Sequence, residues 1–241
     1  MILRILAIAT AVLALVVLLI GGPGYRLGLW DLSFGLLGVM RYALYLGAAA
    51  GLLAVIGLLW PKVRKQGAGL LVLALILGAG VAAVPVSVRQ IASSKPFIHD
   101  ISTDLDNPPA FVAVVPLRDD APNPVEYGGA EVANAQREGY PDLGPAVFEQ
   151  GLDRVFEAAE ATVQSMGWES VAAVPEDGRI EATDTTLWYG FKDDVVIRFR
   201  EVAEGVRVDV RSKSRVGGSD LGKNAARIES FLSELTARLG A

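Results

Sequence analysis

Three stretches of the chain carry residue types and spacings that do chemistry. The first is His99-Asp100-Ile101-Ser102-Thr103-Asp104-Leu105-Asp106-Asn107, which sets the single histidine beside three carboxylates. An imidazole next to an acid is the raw material of a general base with an orienting partner, so His99, Asp100 and Asp104 are the catalytic candidates of a hydrolase-like or metal-dependent reaction. The plainer alternative is a set of capped turns, because Ser, Asp and Asn ahead of Pro108-Pro109 form these routinely. Asp104 and Asp106 also lack the glycine and distal glutamate of a calcium loop. No metal site and no cofactor is expected.

The second stretch is a run of cations. If Ala203-Glu204 is a two-residue turn between strands, Arg200 falls opposite Arg207 and Arg198 opposite Asp209, while Val195, Ile197 and Phe199 share a face with Val206, Val208 and Val210. The period of two then sends apolar side chains to a core and charged ones outward, and the charged face continues through Arg211, Lys213 and Arg215. This face leads into Gly217-Gly218-Ser219-Asp220 at a helix start, where backbone N–H groups attract anions. Arg198, Arg200, Arg207, Arg211, Lys213, Arg215, Ser219 and Asp220 are therefore binding candidates for a small anionic ligand such as a phosphate, a carboxylate or a lipid headgroup. The competing reading is a solvated face whose cations pair with Asp209, Asp193, Asp194 and Glu181. The third stretch, Asp184 to Asp194, is a polar–aromatic connection that either lines a pocket or closes the end of a core.

These residues sit in a chain of two contrasting halves. Of 241 residues, 52% are hydrophobic and none is cysteine, which excludes disulfides, thiolate metal sites and thiol nucleophiles. Residues 1–95 hold eight Lys+Arg against the single acid Asp31, and residues 96–241 hold 14 against 26 Asp+Glu, for net charges of +7 and −12. That split reads as a membrane segment at 1–92, a Pro/Gly-rich arm at 93–144 and an acidic α+β domain at 145–241.

Apolar runs at about 2–20, 42–60 and 68–88 are each long enough to cross a ~30 Å hydrocarbon core. The first ends in Gly21-Gly22-Pro23-Gly24 with no A-x-A pattern, which favours a retained helix over a cleaved signal peptide. No charge lies mid-span, so the runs read as an anchor and not as an ion path. Lys62, Arg64 and Lys65 crowd the loop between the second and third runs, which predicts a cytoplasmic N-terminus and a periplasmic C-terminal domain in a bacterial inner membrane. Gly47 and Gly51 form a G-x-x-x-G spacing that serves either packing within the chain or an oligomer.

In the acidic half, Phe111 to Val115 reads as a short strand inside an ordered, irregular arm that wraps the domain, with disorder as the alternative. A helix opening at Gly144-Pro145 carries Phe148, Leu152, Val155, Phe156, Ala159, Val163 and Met166 on one face and ends at Gly167. Strand-like runs follow at 168–174, 179–187, 194–202 and 205–214, and a last helix spans about 220–239 with Ser219 or Asp220 as its cap. The fold class is thus three transmembrane helices followed by an α+β domain, an antiparallel four-strand meander with two helices packed on one face.

Four motifs, His99 to Asp104, Ile180 to Thr186, Gly190 to Arg198 and Arg211 to Asn224, make residues 97–235 resemble the domain of unknown function 1499 family. The resemblance implies no activity or cofactor, but its motifs coincide with all three candidate stretches. The expected function is a membrane-anchored envelope module that binds a small anion, a headgroup or a protein partner. A His/Asp-dependent hydrolase or metal-dependent enzyme and a structural subunit of a membrane complex are the alternatives. The lipid bilayer is the expected partner, and the acidic domain argues against nucleic acid.

Overall fold

A computed structural model describes residues 2–240, which form two compact units: 2–93 together with 188–190, and 94–187 together with 191–240. The first unit is built on α1 (Ile2–Arg26), α2 (Val39–Leu59), the short α3 (Pro61–Arg64) and α4 (Ala68–Ser94), with a π-helical turn, Phe34–Gly38, running into α2. Among the described residues, three helices are long and apolar enough to cross a membrane, at 25, 26 and 27 residues. Each continues past its apolar run.

Small side chains set how these helices approach. Ala7, Ala11, Ala50, Ala54 and Ala74 are buried with Leu71, while Leu13, Leu52 and Ile76 are exposed on the outside. A Cβ on Gly47 would come within 2.6 Å of the Gly78 carbonyl oxygen, and one on Gly78 within 2.6 Å of the Gly47 carbonyl oxygen. Gly47 thus packs within the chain, by the close approach that small residues permit. Arg4 donates to the Gln66 carbonyl and joins the start of α1 to the loop after α3.

Glycines at the end of α1 make room for aromatics. The Trp30 indole crosses Gly24, and Trp30 Nε1 donates to the Gly21 carbonyl at 3.1 Å. The backbone of Trp188 lies where a Gly22 Cβ would stand, 2.3 Å from its carbonyl oxygen. Trp188 packs against the cluster of Ala14, Leu18, Ala43 and Val81, and its Nε1 donates to the Leu19 carbonyl at 3.1 Å; the Tyr189 hydroxyl donates to the Gly35 carbonyl at 3.1 Å. These two aromatics of the Asp184–Asp194 connection therefore belong to the helical unit and do not close the end of the other core.

The second unit is an antiparallel sheet between two layers. Its strands are β1 (Asp100–Ser102), β2 (Ala146–Phe148), β3 (Glu169–Val174), β4 (Arg179–Thr185), β5 (Lys192–Val202) and β6 (Gly205–Ser214), in the order β1-β6-β5-β4-β3, with β2 also paired to β6. The expected four-strand meander is present as β3 to β6, and the chain before it adds two further strands to β6. The β5–β6 register matches the expectation, with Arg198 opposite Asp209, Arg200 opposite Arg207 and Val202 opposite Gly205. Gly205, at φ +131°, closes that turn where the Phe148 carbonyl would lie 2.1 Å from a Cβ.

Helices α6 (Leu152–Ser165) and α7 (Lys223–Leu239) bury their stripes on one sheet face, where Val155, Phe156, Ala159, Ile228, Phe231 and Leu235 meet Ile180, Val195, Ile197, Phe199, Val208 and Val210. The other face is covered by residues 103–127. Three local expectations are corrected. Phe148 closes β2, and α6 starts only at Leu152, since Gly151 is extended and Phe148 is claimed by Val206 across the sheet. Phe111–Val115 forms no strand, because the Val112, Ala113 and Val114 N–H groups donate to the Glu181 carboxylate instead of to a neighbouring strand. The arm also contains a helix, α5 (Gly129–Gly139), whose buried Gln136 exchanges hydrogen bonds with the Ser102 backbone in place of a further strand.

The glycine contact between α2 and α4 yields a prediction. Gly78→Val forces those backbones apart and costs about 1–3 kcal/mol. Gly69→Val, at a position with open space around it, leaves the thermal midpoint of the detergent-solubilised chain unchanged, which supplies the comparison.

Candidate functional site

Strand alternation places Glu181, Thr183, Asp194, Val196, Arg198, Arg200, Arg207, Asp209, Arg211 and Lys213 on the sheet face opposite α6 and α7. Two rows across the strands set opposite charges side by side, Asp100 beside Lys213 beside Asp194 and Asp209 beside Arg198, while Arg200 faces Arg207 and Arg179 faces Arg198. Opposite charges side by side stabilise such a row. The expectation that this face points outward to solvent is corrected, because Asp194, Asp209, Arg211, Lys213 and Glu181 are buried. The covering arm supplies much of what burial of charge requires, namely counter-ions and hydrogen-bond acceptors, although the Nε of Arg118, Arg198 and Arg200 is left without a partner among the described residues.

Asp100 holds the centre. It accepts from Arg211 Nε and Nη2 at 2.8 Å each and from Lys213 Nζ at 2.8 Å. The remaining Arg211 donors reach the Pro109 and Val125 carbonyls, and the guanidinium lies between the Phe111 and Tyr127 rings, 4.8 and 5.3 Å from their centroids. Lys213 also donates to the Glu126 carbonyl at 2.6 Å. Burial lowers the Lys213 ammonium from its ordinary range against the pull of Asp100. Burial, followed by the Asp100 charge, pushes the Tyr127 phenol up to about 12.

Towards one end of the sheet, Asp194 takes Arg118 and Arg215, together with the Thr183 hydroxyl at 2.8 Å. Asn123 of the arm fixes the adjacent turn by donating to the Ser214 and Gly217 carbonyls. Towards the other end, Arg198, Arg200 and Arg207 surround Asp209 at 3.0, 2.7 and 2.9 Å. The same three converge on Asp104 Oδ2 at 3.0, 3.0 and 3.4 Å. Burial raises the Asp104 carboxyl, but the Asn107 N–H and these arginines outweigh it and hold it below the usual aspartate range. This end stays open: the Arg198, Arg200 and Arg207 side chains are 19%, 39% and 31% exposed, against 4% for Arg211 and 3% for Lys213.

The residues singled out by the sequence are therefore distributed as follows. Arg198, Arg200, Arg207, Arg211, Lys213 and Arg215 share one face and are all ion-paired. Asp100 and Asp104, read as partners of His99, are instead counter-ions of that face. The His99 imidazole turns elsewhere, with Nδ1 3.4 Å from the Gly218 carbonyl, while its backbone carbonyl accepts from the Ser214 N–H and Asn224 Nδ2. Asp106 pairs with Arg137 at the surface. Among the described residues no group of three His, Asp or Glu side chains is arranged to hold a metal ion.

Asp220 and Ser219 lie ahead of α7, which starts at Lys223 with Gly222 as its cap residue and not at about 220, yet Asp220 still closes off an N–H of its first turn. The Asp220 carboxylate accepts from the Gly222 and Asn224 N–H groups at 2.9 and 2.8 Å, and the Ser219 hydroxyl accepts from the Leu221 N–H. Burial holds the Asp220 carboxyl above its ordinary value in spite of those donors.

Sequence reasoning missed Arg118, Arg179 and Arg227. Arg179 pairs with Glu181, and Arg227 reaches through the helix layer to Asp184, Asp193, Ser212 and Asn224. The Arg227 network had a legible signal, since Asn224 and Arg227 are three apart on the helix and interrupt its apolar stripe.

Two outcomes follow. Asp100→Asn strands Arg211 and Lys213 in a buried setting and costs about 3–5 kcal/mol in a denaturation midpoint, whereas Asp106→Asn at the exposed pair costs less than about 1 kcal/mol. The depressed Asp104 carboxyl contributes stability that is full above its ordinary value of 3.8 and is lost as pH falls through its folded value. Acid titration of Asp104→Asn shows that part of the acid sensitivity removed.

A family model described as a protein of unknown function, DUF1499, matches residues 100–235. No curated protein and no solved structure matches the chain.

Proposed function

The chain belongs to the DUF1499 family, and from that premise we propose a membrane-anchored module that binds a small oxyanion, carboxylate or phosphate, at Arg198, Arg200 and Arg207 without chemical conversion. One observation carries the reading: three partly exposed guanidinium groups converge on a single oxygen of Asp104. Asp104 belongs to the loop after β1 and not to the sheet, so its carboxylate stands where a free anion would stand. Planar guanidinium forks favour carboxylate and phosphate oxygens by geometry as well as by charge. The non-catalytic reading draws support from His99, whose ring nitrogen faces a backbone carbonyl while both neighbouring acids are engaged by arginines.

The binding unit lies on the periplasmic side of a bacterial inner membrane in this reading. Support comes from one helical end, where Arg4 reaches Gln66 in the loop that follows Lys62, Arg64 and Lys65, so four cations gather there. Short cation-rich loops stay cytoplasmic.

The anion site is tested by titrating the full chain in detergent with inorganic phosphate, using calorimetry. Asp104→Asn removes the internal competitor yet keeps an oxygen for the Asn107 N–H, and binds phosphate at least about tenfold tighter than the parent, a gain of about 1.4 kcal/mol. Adding Arg200→Gln and Arg207→Gln abolishes the gain. Absence of saturable binding by Asp104→Asn overturns the proposal. For topology, Asp177→Cys gives the chain its only thiol, at an exposed side chain. It reacts with a membrane-impermeant maleimide in cells whose inner membrane is intact; labelling only after lysis places the unit in the cytoplasm.

A further inference from the structure

One end of the sheet in the second unit carries apolar side chains that its own core does not take up. The start of β1, the end of β4, the start of β5 and the end of β6 all lie at this end, as the pairings Asp100–Lys213, Thr185–Lys192 and Asp193–Ser214 require. Phe97 precedes β1 there and Leu187 follows β4. They are 82% and 91% exposed, the two most exposed large apolar side chains of this unit; the next, Val112, is 55% exposed. Phe97 is not a loose end, since its ring rests on Gly218, where an added Cβ would come within 2.7 Å of it.

Both residues are close in the chain to membrane-spanning segments. Phe97 lies three residues past the end of α4 at Ser94. Leu187 immediately precedes Trp188, whose indole donates to the Leu19 carbonyl inside the apolar run of α1. A residue bonded to its neighbour cannot be more than one Cα step, about 3.8 Å, from that segment. Large apolar side chains exposed so close to a bilayer are accommodated by its interface rather than by water.

We propose that this end of the sheet rests in the phospholipid interface, with Leu187 and Phe97 as the inserted side chains. The contact is independent of the anion site, which lies towards the other end of the sheet.

The test uses the full chain in phosphatidylcholine vesicles. Because the chain has no cysteine, Phe97→Cys, Leu187→Cys and Asp177→Cys each give one site for an environment-sensitive NBD probe. All three positions are exposed, and the substitutions give up the Phe97 contact with Gly218 and the surface pair of Asp177 with Arg179. At positions 97 and 187 the emission shifts to the blue relative to position 177, and doxyl-labelled phosphatidylcholine quenches it at least about threefold more strongly than at 177. Emission and quenching at either position equal to those at 177 overturn the proposal.

Discussion

The carboxylate of Asp100 shared between Arg211 and Lys213 is the constraint around which the second unit is organised. A sheet can cover one face with α6 and α7 by apolar contact alone. Its other face carries charges, and burying those is favourable only when each finds a counter-ion and its remaining hydrogen bonds. Strand β1 brings Asp100, and the arm adds Asp104 and Arg118 as charges and the Pro109, Val125 and Glu126 carbonyls as acceptors. Three consecutive arm N–H groups in turn close on the Glu181 carboxylate. Sheet and arm are therefore each other's solvent.

Much of this was legible in the sequence and some was not. Strict alternation in Ile197–Arg200 and Val206–Lys213 dictated the strand register, because a slip of one residue would send the apolar set to the charged face and the charges into the core. What alternation cannot tell is whether the non-core face meets water or a second layer. The sign of the charges looks the same either way, so the basic face read as outward when it is covered. Part of the pairing was legible, since Asp209 and Asp194 do hold Arg198, Arg200, Arg207 and Arg215; the other partners come from residues 100–118, far away in sequence, and no local spacing announces them. The same blindness split one site into two, with His99-Asp100 read as catalytic and the arginines read as binding, although Asp100 and Asp104 join them.

Local signals failed where tertiary contacts outbid them. Phe111–Val115 has strand-forming residues, but a buried carboxylate offers its N–H groups better acceptors than a sheet edge. Residues 148–151 follow helical spacing, yet Phe148 is held by β6. In the membrane unit, by contrast, the glycines of Gly21-Gly22-Pro23-Gly24 marked a real requirement, the close passage of Trp30 and Trp188, although the sequence could not name the side chains that need the space.

That sheet and arm form one ion-paired layer can be measured at the arm backbone. In hydrogen–deuterium exchange of the full chain, the amides of Val112, Ala113 and Val114 exchange as slowly as those of β5, and Glu181→Gln accelerates them by at least about tenfold. Exchange of these three amides at the rate of an exposed loop in the unaltered chain would contradict the account.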